Sequence, residues 1–349
     1  MAAAPLGFGI VGTGMIAGFH ARAIVASGGG RVTGVVGRTD EKTRAFAEGH
    51  GVPFWTTDIE TLVARPDIDV VCITTPSGAH LEPALAAIHA GKHVVIEKPV
   101  EITPERVDLI LEAAGTAGVR VAAIFQGRFG HGARTVKAAL EAGRLGRLAL
   151  ASADVKWHRS AAYYTGWKGM LALDGGGALM NQAIHGLDLL QWFAGLPSEV
   201  FACTTRRVHN GIEGEDTACA VLKFPGGALG TVEATTAAWP GWSRRLELCG
   251  EHGSIMLEDD RIGRWDFSRA EPGDDAIRQA KPDDALGSGA GSPGAISIEG
   301  HVRQYQDLCA ALRENRPLAI DGREGRKAVA FVTALYESAA RGVPVKLAT

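Results

Sequence analysis

The run Gly91-Lys92-His93-Val94-Val95-Ile96-Glu97-Lys98-Pro99 places an acid, an amine and a proline directly behind three β-branched residues. Val94, Val95 and Ile96 in succession predict a short strand buried on both faces of a parallel sheet. Ligands of open α/β sheets bind beyond the carboxyl ends of the strands, so an amine at Lys98 stands where a bound ligand would react. Pro99 cannot donate a ladder hydrogen bond. It ends the strand and admits a cis Lys98–Pro99 bond that would fix the direction of the lysine. Taken alone, Glu97-Lys98-Pro99 reads as a strand end with two solvated charges, and its surroundings change that reading. A second chemical stretch runs from Asp174 through Gly175-Gly176-Gly177 to Asp188. Asn181 and His185 are four apart and Asp188 three further on, which predicts one helix face. The glycines permit close approach of backbone to a ligand or to another domain. A histidine on that face suits proton transfer, with a purely structural histidine as the competing reading. A third stretch, Trp157-His158-Arg159 with Tyr163-Tyr164-Thr165-Gly166-Trp167-Lys168, is dense in aromatic and basic groups. Such groups suit a polyhydroxylated ligand, and they suit equally a satellite cluster beneath a long loop.

These residues need elements to hold them. Leu6–Val11 reads as a strand and 19–26 as an amphipathic helix, with Gly12-Thr13-Gly14-Met15-Ile16-Ala17 between them. That is G-x-G-x-x-A in the strand-to-helix setting a dinucleotide fingerprint requires. Gly12 permits the tight turn, Gly14 the approach of a pyrophosphate, and Ala17 close helix–strand packing. The alternation continues with strands over 32–36, 69–74 and 119–124 and helices over 41–48, 79–90 and 104–117. It predicts a doubly wound parallel sheet. Thr74-Thr75-Pro76-Ser77 ends one strand with small hydroxylated residues suited to lie beside a ribose or nicotinamide, or forms a plain turn. NAD binders usually place an acid at the end of the second strand. Here stand Gly37-Arg38-Thr39, with no acid before Asp40. Arg38 would grip a 2′-phosphate, which predicts NADP. If Arg38 stacks on adenine instead, the cofactor is NAD or either.

The pattern changes at Phe125-Gln126-Gly127-Arg128-Phe129, and a helix follows over 133–141. Strand-like runs over 148–157, 200–208, 218–224, 229–237, 245–249 and 254–257 predict an antiparallel sheet, with Pro225-Gly226-Gly227 as a hairpin turn. Residues 270–294 read as a mobile loop or an insertion, and helices resume over 301–312 and 326–340. The 349 residues suit two domains, 1–124 and 125–349. A formal charge of −3 gives no electrostatic case for nucleic acid or an anionic membrane. No apolar run reaches the roughly 20 residues of a membrane span, and the first residues lack the pattern of a signal peptide. Five scattered cysteines indicate neither zinc nor a disulfide framework, so a reducing, cytoplasmic setting is expected.

Together these pieces resemble the Gfo/Idh/MocA oxidoreductase family over nearly the whole chain. The resemblance rests on Gly12 to Ala17, on Thr75-Pro76-Ser77 with His80, on Ala90 to Pro99, and on Gly175-Gly176-Gly177 with His185. It implies a Rossmann domain followed by an α/β domain with a large, mostly antiparallel sheet. The implied activity is oxidation or reduction of a secondary alcohol of a sugar, cyclitol or nucleotide sugar. Lys98 and His185 match the family's catalytic pair. Asn181 departs from an aspartate common there; it can hydrogen-bond a hydroxyl but cannot relay a proton. Proton transfer then falls to His185, Lys98 or a substrate-linked chain. Expected cofactor contacts are Gly12, Thr13, Gly14, Met15, Ile16, Gly37, Arg38, Thr74, Thr75, Pro76, His80, Glu97, Lys98, Gln126, Trp167 and Lys168. Expected substrate contacts are Lys98, Arg128, Arg159, Tyr163, Asn181 and His185, with no metal. Two other classes share the fold, an NAD-dependent glycosidase acting by transient oxidation and a non-catalytic NAD(P) sensor. A homodimer or homotetramer is expected through outward apolar residues such as Val221, Leu229 and Val232.

Overall fold

The computed structural model describes residues 4–280, 289–291 and 297–347, in two compact units. In the first, strands β1 (Leu6–Val11), β2 (Gly30–Val36), β3 (Trp55–Thr56), β4 (Val70–Ile73), β5 (His93–Ile96) and β6 (Val121–Ala123) pair in parallel in the order β3-β2-β1-β4-β5-β6. Helices α1 (Met15–Ala26), α2 (Asp40–His50), α3 (Ile59–Val63), α4 (Leu81–His89) and α5 (Pro104–Ala117) connect them. Strand β4 is buried throughout and β5 at Val94, Val95 and Ile96, which is why these strands read as unbroken apolar runs. The strand order reverses between β1 and β4, so the loops after β1, β4 and β5 share one edge of the sheet.

The second unit begins with α6 (His131–Glu141) and strand β7 (Leu148–Lys156). The short helix α7 (Leu171–Asp174) follows, then a π-helical turn over Ala178–Ala183 that runs into α8 (Ile184–Ala194). Strands β8 (Glu199–Thr205), β9 (Thr217–Lys223), β10 (Leu229–Thr235), β11 (Arg245–Gly250), β12 (Gly253–Glu258) and β13 (Arg261–Phe267) lead to α9 (Asp274–Gln279). Helix α10 (Glu299–Glu314) belongs to the first unit, and α11 (Gly322–Arg341) begins there and continues in the second. Strand β14 (Val345–Lys346) completes a sheet ordered β13-β12-β11-β7-β10-β9-β8-β14. Among the described residues of this sheet only the β7–β10 pairing is parallel. The turn at Pro225-Gly226-Gly227 joins β9 to β10, closed by Phe224 N–H donating to the Ala228 carbonyl at 2.9 Å.

Three differences from the sequence reading have physical causes. The expected loop over 270–294 holds α9, while 281–288 and 292–296 lie outside the described residues. Residues Ile298–Arg326 group with the first unit because Tyr305, Leu308 and Cys309 join the core of Phe8, Ile10 and Ile24. Val232 does not face outward. It is 1% exposed, whereas Val221 and Leu229 are 54% and 52% exposed. Side chains alternate along a strand, so Leu229 and Val232, three apart, take opposite faces.

Candidate active site

At the cofactor edge, Gly12 has φ +111, and a Cβ there would meet Thr74 Oγ1 at 2.7 Å. The Thr74 hydroxyl donates to the Val11 carbonyl at 2.7 Å, tying the β4 exit to the β1 exit. Gly14 precedes α1, and a Cβ there would meet none of the described residues within 4 Å. That open space, the helix's first N–H groups and the lack of an acid in the first turn suit a pyrophosphate. Gln126, which follows β6, has a buried side-chain oxygen with no hydrogen-bond partner among the described residues. Thr13 and Ile16 are half-buried and Met15 is exposed. At the end of β2, a Cβ on Gly37 would lie 2.4 Å from Thr43 Oγ1 and 2.8 Å from the Thr13 methyl. Any side chain at this position would have to displace Thr43 or Thr13, and Arg38 is the exposed residue that follows. These residues fit a bound NAD(P).

The stretch after β5 is more inward-turned than its sequence suggests. Lys98 is half-buried and the Lys98–Pro99 bond is cis. His80 is buried, with Nδ1 2.9 Å from the Pro99 carbonyl and Nε2 3.0 Å from the Thr75 carbonyl. Burial lowers its pKa. The ring braces the β4 exit against the lysine loop and is engaged by the protein's own carbonyls. Thr75 is likewise used locally, its hydroxyl donating to the Ala79 carbonyl at 2.8 Å, and Pro76 precedes the short turn Ser77–Ala79. The Glu97 carboxyl points into the core, with His20 Nε2 2.7 Å from Oε1 and Lys98 N–H donating to Oε2 at 2.9 Å.

In the second unit a polar cluster forms around Asn181. Its amide nitrogen donates to Asp174, and its oxygen accepts from Tyr163 Oη at 3.0 Å and from Gln182 Nε2 at 2.9 Å. Gln182 also donates to Tyr163 Oη at 2.8 Å and accepts from Arg159 at 3.1 Å. Burial pushes the Tyr163 pKa up and that of Tyr164 up to about 12. Lys168 Nζ lies 3.6 Å above the Tyr163 ring, and Trp167 beside it is half-buried. His185 is half-buried in the first turn of α8.

Two expected substrate ligands are held by groups of the protein itself. Arg128 makes a buried bidentate pair with Asp188, at 2.8 and 2.6 Å. The π-helical turn, which holds Asn181, interrupts the expected Asn181–His185–Asp188 stripe, while His185 and Asp188 stay three apart within α8. Arg159 is buried and donates to the carbonyls of His158, Gly289 and Ala290 as well as to Gln182. Gly176 and Gly177 leave room for the protein's own Tyr336 and Glu215. Glu215 accepts from Gly177 N–H at 3.0 Å, Leu179 N–H at 2.6 Å and Tyr336 Oη at 3.0 Å. Burial raises its pKa to about 7. Sequence reasoning missed Glu215, Asp174, Gln182, His20 and Tyr305 as parts of the site's framework. Asp174 and Gln182 carried a signal, since both stand in the glycine-rich stretch already singled out; the others carried none.

A Rossmann edge with a glycine fingerprint and a strand-end lysine, on a chain that also builds a large mixed sheet, defines a dinucleotide-binding oxidoreductase fold. Residues 6–125 match the oxidoreductase family, NAD-binding Rossmann fold, and residues 133–256 match the GFO/IDH/MocA C-terminal domain. The chain belongs to the Gfo/Idh/MocA oxidoreductase family. It is similar to the solved WlbA dehydrogenase from Bordetella pertussis in complex with NADH and UDP-GlcNAcA. That likeness has 31% identity and a TM-score of 0.88, covering 99% of this chain and 100% of that one. Inositol 2-dehydrogenase 2 of Saccharopolyspora erythraea is 30% identical over 263 residues, 72% of this chain and 73% of its own. Levoglucosan dehydrogenase of Pseudarthrobacter phenanthrenivorans is 26% identical over 321 residues, 82% of each chain.

Proposed function

We propose that this protein is an NAD(P)-dependent dehydrogenase or reductase acting on a secondary alcohol, or the matching ketone, of a sugar, cyclitol or glycoside. The observation that carries the reading is one sheet edge. The Gly12–Gly14 loop, the Thr74–Pro76 turn and Lys98 leave the adjacent strands β1, β4 and β5 there. Relatives named for inositol, levoglucosan and a nucleotide-sugar complex support the substrate class. When bound, the nicotinamide accepts or gives the hydride. The chain's own residues hold the cofactor and handle the proton. The first N–H groups of α1 meet the pyrophosphate. Lys98 donates to the reacting oxygen and stabilises its developing negative charge. His185 takes the hydroxyl proton in oxidation and returns it in reduction. Asn181 orients substrate from within the Asp174–Tyr163–Gln182 cluster.

Arg38 favours NADP, with NAD as the alternative that the NADH complexes of relatives support. The apolar face carrying Phe201, Val221 and Leu229 is the contact between copies in a homodimer or homotetramer. A cytoplasmic setting fits five unpaired cysteines. The test is a panel of sugars, cyclitols and glycosides offered with NAD⁺ or NADP⁺, read by formation of reduced cofactor. Turnover with at least one polyol supports the reading. Glycoside cleavage without net reduced cofactor would make the protein a glycosidase instead, and cofactor binding without any turnover would make it a sensor.

A further inference from the structure

Lys98 is the second residue beyond β5, directly after Glu97. Its backbone N–H donates to the carboxylate of the residue before it, Glu97 Oε2, at 2.9 Å. The other carboxylate oxygen faces a buried chain of groups from distant parts of the sequence. Glu97 Oε1 lies 2.7 Å from His20 Nε2, on α1, and 3.8 Å from His301 Nε2, on α10. His20 Nδ1 lies 2.6 Å from Tyr305 Oη, which lies 3.1 Å from Cys72 Sγ on β4. Glu97, His20, His301, Tyr305 and Cys72 are all buried.

The protons of this chain can be assigned. An ionised carboxylate only accepts, so His20 must carry its proton on Nε2. Burial lowers the His20 pKa, which favours the neutral ring. A neutral ring then accepts at Nδ1, so Tyr305 donates its hydroxyl proton, and the Tyr305 oxygen can accept from Cys72. No donor faces a donor. His20, Glu97 and His301 are also three groups of metal-ligating type within 4.8 Å of one another. Two atoms on one zinc ion, each bound at about 2.0–2.2 Å, stand about 3 Å or more apart. The 2.7 Å His20–Glu97 separation is that of a charge-assisted hydrogen bond.

We infer that His20 is a positioning residue for Lys98: with Tyr305 behind it, it holds the Glu97 carboxylate that anchors the backbone of the lysine. The inference rests on the reading of Lys98 as the group that meets the reacting oxygen. Displacement of a reacting group by about 1 Å can cost on the order of 10²-fold in rate. Freed of its partner, the Glu97 carboxylate no longer fixes the start of the lysine loop.

The test compares His20→Leu, which removes the donor, with His20→Gln, which keeps an N–H at similar reach. His20→Leu should lower kcat by about 10- to 100-fold while cofactor Kd stays near the wild-type value, and His20→Gln should recover most of the loss. Tyr305→Phe keeps the ring packing and should lower kcat in the same direction by less. A second readout needs no turnover: the rate at which an amine-acylating reagent modifies Lys98, followed by peptide mass spectrometry. It should change in His20→Leu and return in His20→Gln. A folded His20→Leu with wild-type kcat and wild-type labelling overturns the inference, as does a His20→Gln no better than His20→Leu. If His20→Leu does not fold, His20→Gln near wild type with Tyr305→Phe impaired supports it, and Tyr305→Phe at wild-type rate and labelling overturns it. Stoichiometric zinc in the purified protein, lost in His20→Gln, also overturns it, because Nε2 cannot both donate to Glu97 and bind a metal. Failure of the wild type on every substrate would sink the proposed activity, while the labelling comparison would still decide the role of His20.

Discussion

At Asn181 the side chain is held at both ends, its nitrogen donating to Asp174 and its oxygen accepting from Tyr163 and Gln182. Asn181→Asp would replace the donor with an acceptor and set a second carboxylate against Asp174 in a buried place. One member of such a pair keeps a proton, so its pKa rises above the unfolded value. Stability from that proton is present at low pH and lost as pH rises through the raised pKa. We expect Asn181→Asp to cost about 1–3 kcal/mol near neutral pH, and less in acid. Urea melts at acidic and at neutral pH check this; an equal loss at both would show that Asp174 does not sense the new charge. Arg38 carries the residue-scale prediction on the cofactor. A lost charge-assisted contact to a phosphate is worth about 1.5–3 kcal/mol. Arg38→Ala should therefore weaken NADP binding on the order of tenfold or more and leave NAD binding nearly unchanged. Titrations in which the wild type prefers NAD and ignores the substitution would remove this role.

The π-helical turn Ala178–Ala183 is held by a residue remote from it. Glu215 accepts the N–H groups of Gly177 and Leu179, which a helix start leaves without helical partners. Its pKa is raised by burial from 4.5 to about 7. Between those values the folded state binds more protons than the unfolded one, so stability falls as pH rises through this window. The difference in unfolding free energy between wild type and Glu215→Gln, which cannot ionise, should shrink by about 3 kcal/mol from pH 4.5 to above pH 7. A flat difference would mean that Glu215 ionises without penalty. Such a device could not be seen in the sequence, whereas the elements around it largely could. Helix α5 was legible to its ends because Thr103, Pro104 and Gly118 cap it locally. Strand β1 and the fingerprint were legible because alternation and glycine sterics act over a few residues. The two-residue strands β3 and β14 were not, since neighbouring ladders hold them rather than their own pattern. The pairs Arg128–Asp188 and His20–Tyr305, 60 and 285 residues apart, depend on the finished fold.

Over the whole molecule, the second unit's sheet is covered on one face, where α8 packs on β7 and the π-helical turn on β9 and β10. The other face exposes Phe201 opposite Val221, and Leu229 beside Leu150. No helix among the described residues is long and apolar enough to cross a membrane. Val221→Glu should split an oligomer built on the exposed face into 36.6 kDa chains in light scattering. A wild type that already scatters as a single chain would remove the oligomer. In the proposed reaction the chain catalyses hydride transfer with Lys98 at the reacting oxygen and His185 as the base. Its most direct test is the steady-state kcat of Lys98→Met and His185→Ala on the best substrate of the panel, with cofactor Kd measured alongside. Acid–base groups contribute about 10²- to 10⁴-fold, so both variants should lose kcat in that range while binding cofactor normally. Folded, cofactor-bound variants that turn over near the wild-type rate would contradict it.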